Sequence, residues 1–309
     1  MDHKICWVLT GPTASGKTAL SIRLAKRHDC EIICMDSMQI YRGMNIGTAK
    51  PMPEEMDGIP HHMLDVADPA EAFSVARYQE MAEACIADVQ SRGKRALLVG
   101  GTGLYLRALR QPMAMGDVSG DERIRAELEG IAAQENGKQR LHDMLAEVDP
   151  VTAARLHLNN VRRAVRALEV YRLTGVPFSM QPQVDTPSRF AYRVASLTMD
   201  RALLYARIEE LVDVMWAQGL TDEVRGLLEC GVPADCQAMK AIGYKEVIPL
   251  LRGEVSEAET LSLLKLNTRH YAKRQLTWMR REEDVLWVDA LQPDAYKKLD
   301  KWYTQGEEV

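Results

Sequence analysis

The sequence predicts an α/β protein: a mostly parallel sheet flanked by helices and interrupted by an all-helical insertion. Three observations predict it. Gly11-Pro12-Thr13-Ala14-Ser15-Gly16-Lys17-Thr18 follows an apolar run at 5–9 and precedes helical spacing at 19–25. Further apolar runs at 31–35, 95–99, 189–198 and 285–288 alternate with helical stretches, the pattern of a parallel sheet. From about 113 to 180 no strand pattern appears. The expected division is therefore a core of residues 1–112 and 185–309 around a helical insertion at 113–184.

The opening motif is a P-loop, a glycine-rich turn between strand and helix. Gly11 and Gly16 let the backbone bend so that successive N–H groups converge on one anion. The helix beginning near Gly16 adds its positive end. Lys17 is a point charge for terminal phosphates, and the Thr18 hydroxyl suits Mg²⁺. With it, the fold expectation sharpens to a P-loop NTPase-like core. The motif says that phosphates bind, not which reaction follows.

Composition bounds the rest. The 309 residues are 46% hydrophobic and 27% charged, as in an ordinary soluble globular protein. Net charge is −5, so no global basic signature marks a nucleic-acid partner and local patterning decides. No apolar run approaches membrane-spanning length, and a strand begins within a few residues of the N-terminus, so neither a membrane span nor a signal peptide is expected. The six cysteines match no common zinc spacing. Cys6, Cys30 and Cys34 fall in or beside core strands as small buried hydrophobes. A reduced cytoplasmic setting fits, and a monomer is the expectation.

Strand 31–35 ends in Asp36-Ser37-Met38-Gln39. Carboxyl ends of parallel strands face the ligand crevice, so Asp36 belongs near the phosphates. It is open at this point to three roles: water-mediated Mg²⁺ ligand, general base or structural cap. A loop at 42–51 follows, then His61 and His62, which point to opposite faces of an extended segment and favour a structural or substrate-loop role over a metal site. A helix at 74–89 has Ser74 as N-cap. Strand 95–99 ends in Gly100-Gly101-Thr102-Gly103, where three glycines allow close backbone approach and Thr102 offers a hydroxyl. Residues 92–110 hold five basic side chains and no acidic one.

After Pro112 comes an unperiodic stretch at 113–117. Helices are expected at 121–135, from 138 to 147, from Pro150, and from Asn159 or Asn160 to 173. On the last, Arg162, Arg163 and Arg166 project together as a salt-bridged surface or an anion site. Arg207, on a helix at 201–216, is a candidate for the phosphate pocket. A short helix is expected at 221–228, and residues 239–246 mix basic and aromatic character. The long helix at 256–281 holds six basic and no acidic residues between Leu261 and Arg281. Lys265, Arg269, Lys273 and Arg280 share one face, within about 80°. Such a one-signed stripe is the footprint expected for a nucleic-acid backbone. Glu307-Glu308 closes a polar tail expected to be loose.

Together the P-loop, residues 36–51, Gly100 to Leu106, Arg163 to Val170, and Tyr271-Ala272-Lys273-Arg274-Gln275-Leu276-Thr277-Trp278 resemble the tRNA dimethylallyltransferase, or tRNA isopentenyltransferase, family. The resemblance spans nearly the whole chain in the family's motif order. It implies transfer of a dimethylallyl group from dimethylallyl diphosphate to N6 of the adenosine at position 37, in the anticodon stem-loop. It implies that Gly11, Pro12, Thr13, Ala14, Ser15, Gly16, Lys17, Thr18 and Arg207 bind the diphosphate with Mg²⁺ on Thr18. Asp36, Thr102 and Lys17 would be catalytic, with Asp36 taking the N6 proton. Asp36, Ser37, Met38, Gln39 and Thr102 would meet the RNA at the flipped base. Asn160, Val161, Arg162, Arg163 and Ala164 would hold the RNA, as would Lys240, Ala241, Ile242, Gly243, Tyr244 and Lys245. A third segment would do so through Lys273, Arg274, Gln275, Leu276, Thr277, Trp278, Met279 and Arg280.

Three positions depart from the family pattern. Leu211 stands where many members carry arginine, His157-Leu158-Asn159 replaces a common His-Pro-Asn, and the zinc finger of eukaryotic members is not expected, which points to a bacterial type. The alternatives are a small-metabolite P-loop kinase, an isopentenyltransferase of free adenine nucleotides, and a non-catalytic RNA-binding protein. The basic stripe and long insertion argue for RNA.

Overall fold

The computed structural model describes residues 5–111, 120–181 and 187–305, and the stretch at 113–117 and the tail at Glu307–Glu308 lie outside them. In chain order the core opens with β1 (Ile5–Thr10), α1 (Lys17–His28), β2 (Cys30–Cys34), α2 (Pro53–Met56), β3 (His61–His62), α3 (Val75–Ser91), β4 (Arg95–Val99) and α4 (Gly103–Arg110). The insertion holds α5 (Glu122–Ala132), α6 (Gly137–Val148), α7 (Pro150–Arg155) and α8 (Val161–Thr174). The core resumes with β5 (Ala191–Thr198), α9 (Arg201–Ala217), α10 (Leu220–Glu229), α11 (Tyr244–Leu251), α12 (Glu257–Met279), β6 (Val285–Asp289) and α13 (Ala295–Thr304). Two compact units result, Met1–Gln111 with Ser188–Val309, and Pro112–Pro187.

The sheet order is β3-β2-β4-β1-β5-β6 and its pairings are parallel. Alternation along β1 assigns its two faces. Cys6 and Val8 enter one core with Tyr78, Ile86 and Leu106, which α3 and α4 supply. Trp7 and Leu9 enter the other with Leu24 of α1 and Leu299 and Tyr303 of α13. Cys6, Cys30 and Cys34 are buried, as a core role requires. Tyr303 stacks on Trp7 with ring centroids 4.2 Å apart, and His28 meets Asp300 at 2.7 Å. The sequence reading did not foresee α13, because its charged residues mask a short apolar face.

His61 and His62 form the edge strand. His61 Nδ1 lies 2.8 Å from the Ile59 carbonyl, and His62 Nε2 lies 2.6 Å from Glu31. The basic run at 92–110 is largely engaged with protein. Arg92 bonds Glu31 and Asp88, Lys94 bonds Asp29, and Arg110 bonds Glu282 at 3.0 Å.

The insertion packs around Leu128, Leu141, Leu145, Val165 and Leu168. Two of its helices begin on aspartate caps, while Asn160, the expected cap of α8, makes no side-chain cap bond. Asp121 accepts the Arg123 and Ile124 N–H groups, and Asp149 accepts Thr152 N–H at 2.9 Å. Glu169, fully buried, takes Arg166 at 2.7 Å and Arg125 at 2.9 Å. That divides the arginine trio between its two readings: Arg166 is salt-bridged to a buried acid, while Arg162 and Arg163 are exposed.

Candidate active site

β2, β4 and β1 are neighbours, so the loops leaving their carboxyl ends emerge side by side. These are the P-loop after β1, the Asp36 turn after β2 and the glycine turn after β4. Their close approach has a steric origin. A Cβ on Gly100 would lie 2.1 Å from the Met35 carbonyl oxygen, and one on Gly11, at φ +146°, 2.9 Å from Leu197 Cβ. Thr102 N–H donates to that same Met35 carbonyl at 3.2 Å, tying the β4 turn to the β2 turn.

Within the P-loop, Ala14 (φ 61°) and Gly16 (φ 84°) adopt left-handed conformations. Such alternation turns successive N–H groups toward one concavity. Lys17 Nζ donates to the Pro12 carbonyl at 2.7 Å. Burial pulls the Lys17 ammonium down to about 8, against the opposing pull of Asp36. The Ser15 hydroxyl is buried and has no partner among the described residues. A buried unsatisfied donor calls for a reason, and an anion oxygen in the cradle supplies one.

Asp36 is half-buried. Burial raises its carboxyl above the ordinary aspartate range, while the Met38 N–H, at 2.9 Å, and the Lys17 charge draw it back. Thr102 caps α4 in position, but its hydroxyl serves the neighbouring turn: it accepts Ser37 N–H at 3.0 Å. The four groups Lys17, Asp36, Ser37 and Thr102 thus form one connected set.

α12 covers this set with one face. Tyr271, Gln275 and Trp278 follow at i, i+4 and i+7, one side of a helix. Gln275, buried, accepts Thr13 N–H at 2.9 Å and donates to the Gly101 carbonyl at 3.2 Å. Trp278 fills the place of a side chain on Gly103, where a Cβ would sit 2.6 Å from its ring. Tyr271 lies within hydrogen-bonding reach of Thr102 and Gln275, and burial pushes its phenol up.

Gln275 was expected at the RNA; its amide instead joins the P-loop to the glycine turn. The i, i+4, i+7 spacing was the signal that separates this face from the basic one. Gln275→Leu keeps the volume but orphans a donor and an acceptor. We expect it to weaken diphosphate affinity by about tenfold (roughly 1–3 kcal/mol for the orphaned groups), read by titration with inorganic diphosphate. Unchanged affinity would leave the bridge without consequence for the cradle.

The remaining expected positions divide by exposure. Gln39 is saturated within the protein: its Nε2 donates to the Thr48 and Ala49 carbonyls at 3.0 Å each. Tyr244, Ala241, Ala164 and Met279 are buried, so they support their segments rather than present side chains to RNA. Asn160, Arg162, Arg163, Lys240, Lys245, Lys273, Arg274, Thr277 and Arg280 are exposed; Val161, Ile242 and Leu276 are half-buried. Half of the α12 stripe is neutralised, since Lys265 meets Asp213 at 2.7 Å and Arg269 meets Glu209 at 2.8 Å, both on α9. Their acids come from another helix, which a one-helix reading of the stripe left out. Arg207 is exposed on α9 beside Ile208, which packs in one cluster with Ala14 of the P-loop. Leu211, at the departure from the family pattern, packs against the larger core.

The IPP transferase family matches residues 39–282, most of the chain. The chain belongs to the IPP transferase family. A tRNA dimethylallyltransferase of Geobacter metallireducens is 52% identical over 284 residues, 91% of each chain. One of Geobacillus thermodenitrificans is 50% identical over 298 residues, 96% of this chain and 93% of the relative. The crystal structure of the full-length tRNA isopentenylpyrophosphate transferase from Bacillus halodurans superposes with a TM-score of 0.72 at 44% identity, covering 98% of this chain and 96% of that one. A eukaryotic dimethylallyltransferase acting on tRNA superposes at 0.79 and 28% identity, covering 98% of this chain and 77% of that one. The IPP transferase fold in this chain is therefore the P-loop α/β core described above, with its helical insertion.

Proposed function

We propose that this family member transfers a dimethylallyl group from dimethylallyl diphosphate to N6 of adenosine 37 in tRNA, next to the anticodon. The names of its relatives support a tRNA prenyltransferase. The observation that carries the chemistry is a P-loop after β1 facing the charge of a half-buried acid, Asp36, on the turn after β2, with the β4 turn between them. A kinase reading accounts for the cradle alone.

N6 attacks the allylic carbon of the donor, the carbon–oxygen bond to diphosphate breaks, and the diphosphate leaves with the electron pair. The amine is weakly nucleophilic because its lone pair is delocalised into the ring. Asp36 takes the N6 proton as the new bond forms. Thr102 holds the Asp36–Ser37 turn through Ser37 N–H, and Lys17 with the P-loop N–H groups stabilises the departing diphosphate. Arg207 adds charge on the α9 side. Thr18 presents a hard oxygen at the helix end of the loop, half-buried, with its carbonyl already taken by Ser21 at 2.8 Å. That donor fits Mg²⁺, which would neutralise charge on the leaving group when bound. The flipped base costs a few kcal/mol of stacking. RNA contacts on Arg162, Arg163, Lys240, Lys245, Lys273 and Arg280 offset it. We take the enzyme to act as a monomer in the cytoplasm. No helix among the described residues is long and apolar enough to cross a membrane.

The deciding experiment is nucleoside mass spectrometry of unmodified tRNA incubated with the protein, dimethylallyl diphosphate and Mg²⁺. An adenosine heavier by one dimethylallyl group in place of hydrogen is expected. Its absence with folded protein, alongside ATP consumption on small metabolites, would replace this reading by a kinase.

The exposed half of the basic stripe gives a second prediction. Lys273→Ala with Arg280→Ala should weaken tRNA binding and lower its salt slope by roughly 2, about one per lost phosphate contact. Lys265→Ala with Arg269→Ala should change the slope less, because α9 acids already neutralise both. A slope unchanged from wild type in Lys273→Ala with Arg280→Ala, measured by binding titrations across salt, would return both to solvated surface.

A further inference from the structure

Glu223 of α10 makes an unusual set of contacts for a carboxylate on a surface helix. Its Oε2 accepts Asn45 N–H at 2.9 Å and Ile46 N–H at 2.8 Å. Its Oε1 accepts Gly47 N–H at 3.1 Å and the Tyr244 hydroxyl at 2.5 Å. Three consecutive backbone donors therefore close on one anion, the arrangement that usually cradles a bound ligand. Here the anion is supplied by the protein. Tyr244 presses the same loop from the side, since a Cβ on Gly47 would lie 2.5 Å from its ring.

The clamped loop connects to the reacting turn. Thr48 and Ala49 follow Gly47 directly, and their carbonyls receive both hydrogen bonds from the Gln39 amide. Gln39 Oε1 is met in turn by the Cys34 thiol at 3.4 Å, at the end of β2. Gln39 thus closes the segment that begins at Asp36. Lys50, buried, ends the loop on the Tyr41 carbonyl and Asp65, each at 2.6 Å.

We propose that Glu223, with Tyr244, is a positioning residue for the RNA substrate. It fixes the 45–47 loop, which fixes Gln39, which holds Ser37 and Met38 where the target base must lie. The proposal rests on the tRNA reading above. Its physical basis is that a small displacement of groups that orient a reacting base costs far more in rate than in stability. The clamp grips the β2 side of the site and leaves the P-loop, after β1, untouched. It should therefore act on the RNA and not on the diphosphate.

Glu223→Gln tests it. An amide in that place offers one oxygen and turns an NH₂ toward two of the four donors. We expect kcat/KM for tRNA to fall by ~10²-fold with the affinity for inorganic diphosphate unchanged. Tyr244→Phe, which removes one of four bonds, should lose less, and the double variant should lose no more than Glu223→Gln alone. Hydrogen exchange at the amides of 45–47 and 37–39 should quicken in both variants without any substrate. Unchanged exchange at 37–39 would overturn the proposal, as would unchanged kcat/KM for tRNA in a variant whose 45–47 amides are freed. Parallel loss of diphosphate affinity would make the clamp merely structural. If Glu223→Gln does not fold, Tyr244→Phe carries the same readouts. A wild type that prenylates no tRNA would count against the tRNA reading, while the exchange data would still decide the clamp.

Discussion

Asp36→Asn should lose turnover by about 10²- to 10⁴-fold while keeping tRNA and diphosphate affinity, the range expected for removal of a general base. Asparagine is the informative replacement. Its side-chain oxygen can still accept Met38 N–H, so the turn that carries Ser37 and Met38 keeps its anchor. What disappears is the basic oxygen. Burial raises the Asp36 carboxyl, so the base is in its working, deprotonated form only above that raised value. Turnover on tRNA should accordingly climb with pH through an acid limb. In Asp36→Asn that limb should vanish together with the rate. Single-turnover transfer to tRNA across pH reads both. A variant that keeps wild-type turnover would remove Asp36 as the base, and a variant that loses diphosphate affinity would assign it to binding instead.

Much of this site was legible in the sequence because its residues follow one another along the chain. The P-loop, the Asp36 turn and the Gly100–Gly103 turn each occupy a few consecutive positions after an apolar strand. The rule that parallel strands open their carboxyl ends to the ligand then brings them together without a structure. What was not legible depends on partners distant in sequence. Gln275 meets Thr13 across 262 positions, and Glu223 meets Asn45 across 178. Neither could be read from local spacing. The same limit explains the stripe on α12: periodicity places Lys265 and Arg269 on one face, but only packing reveals that Asp213 and Glu209 of α9 stand opposite them. Tyr244 failed in the other direction. Its neighbours Lys240 and Lys245 are exposed, and the segment's mixed character hid that its aromatic ring is a core element. Local spacing thus brings the three turns to one sheet edge, while the contacts that brace them depend on tertiary packing.

Lys17→Met should abolish measurable diphosphate binding at micromolar protein while leaving tRNA affinity in place. Methionine matches the length of the stem but carries no charge, so the loop keeps its packing and loses its cation. The effect is large because the ammonium is desolvated. A charge paired with phosphate in a site of low effective dielectric counts for more than one in water. The same desolvation makes the wild-type interaction depend on pH in a definite direction. In the free enzyme burial holds Lys17 down to about 8, so above that pH it is increasingly neutral. The bound diphosphate, as a nearby anion, favours the charged form and lifts that pKa. Binding therefore takes up a proton, and affinity should fall as pH rises through 8. Calorimetry with inorganic diphosphate in buffers of different ionisation heat counts the proton directly. Uptake below pH 7 with none near 8 would assign the linkage to another group, and no uptake at any pH would mean that Lys17 is already fully charged before the donor arrives. The Asp36 and Lys17 limbs together set the form of the full reaction. With Asp36 as base and Lys17 on the diphosphate, turnover at limiting donor should rise as Asp36 gives up its proton and decline as Lys17 gives up its own, so the two residues would bound the working pH range from either side.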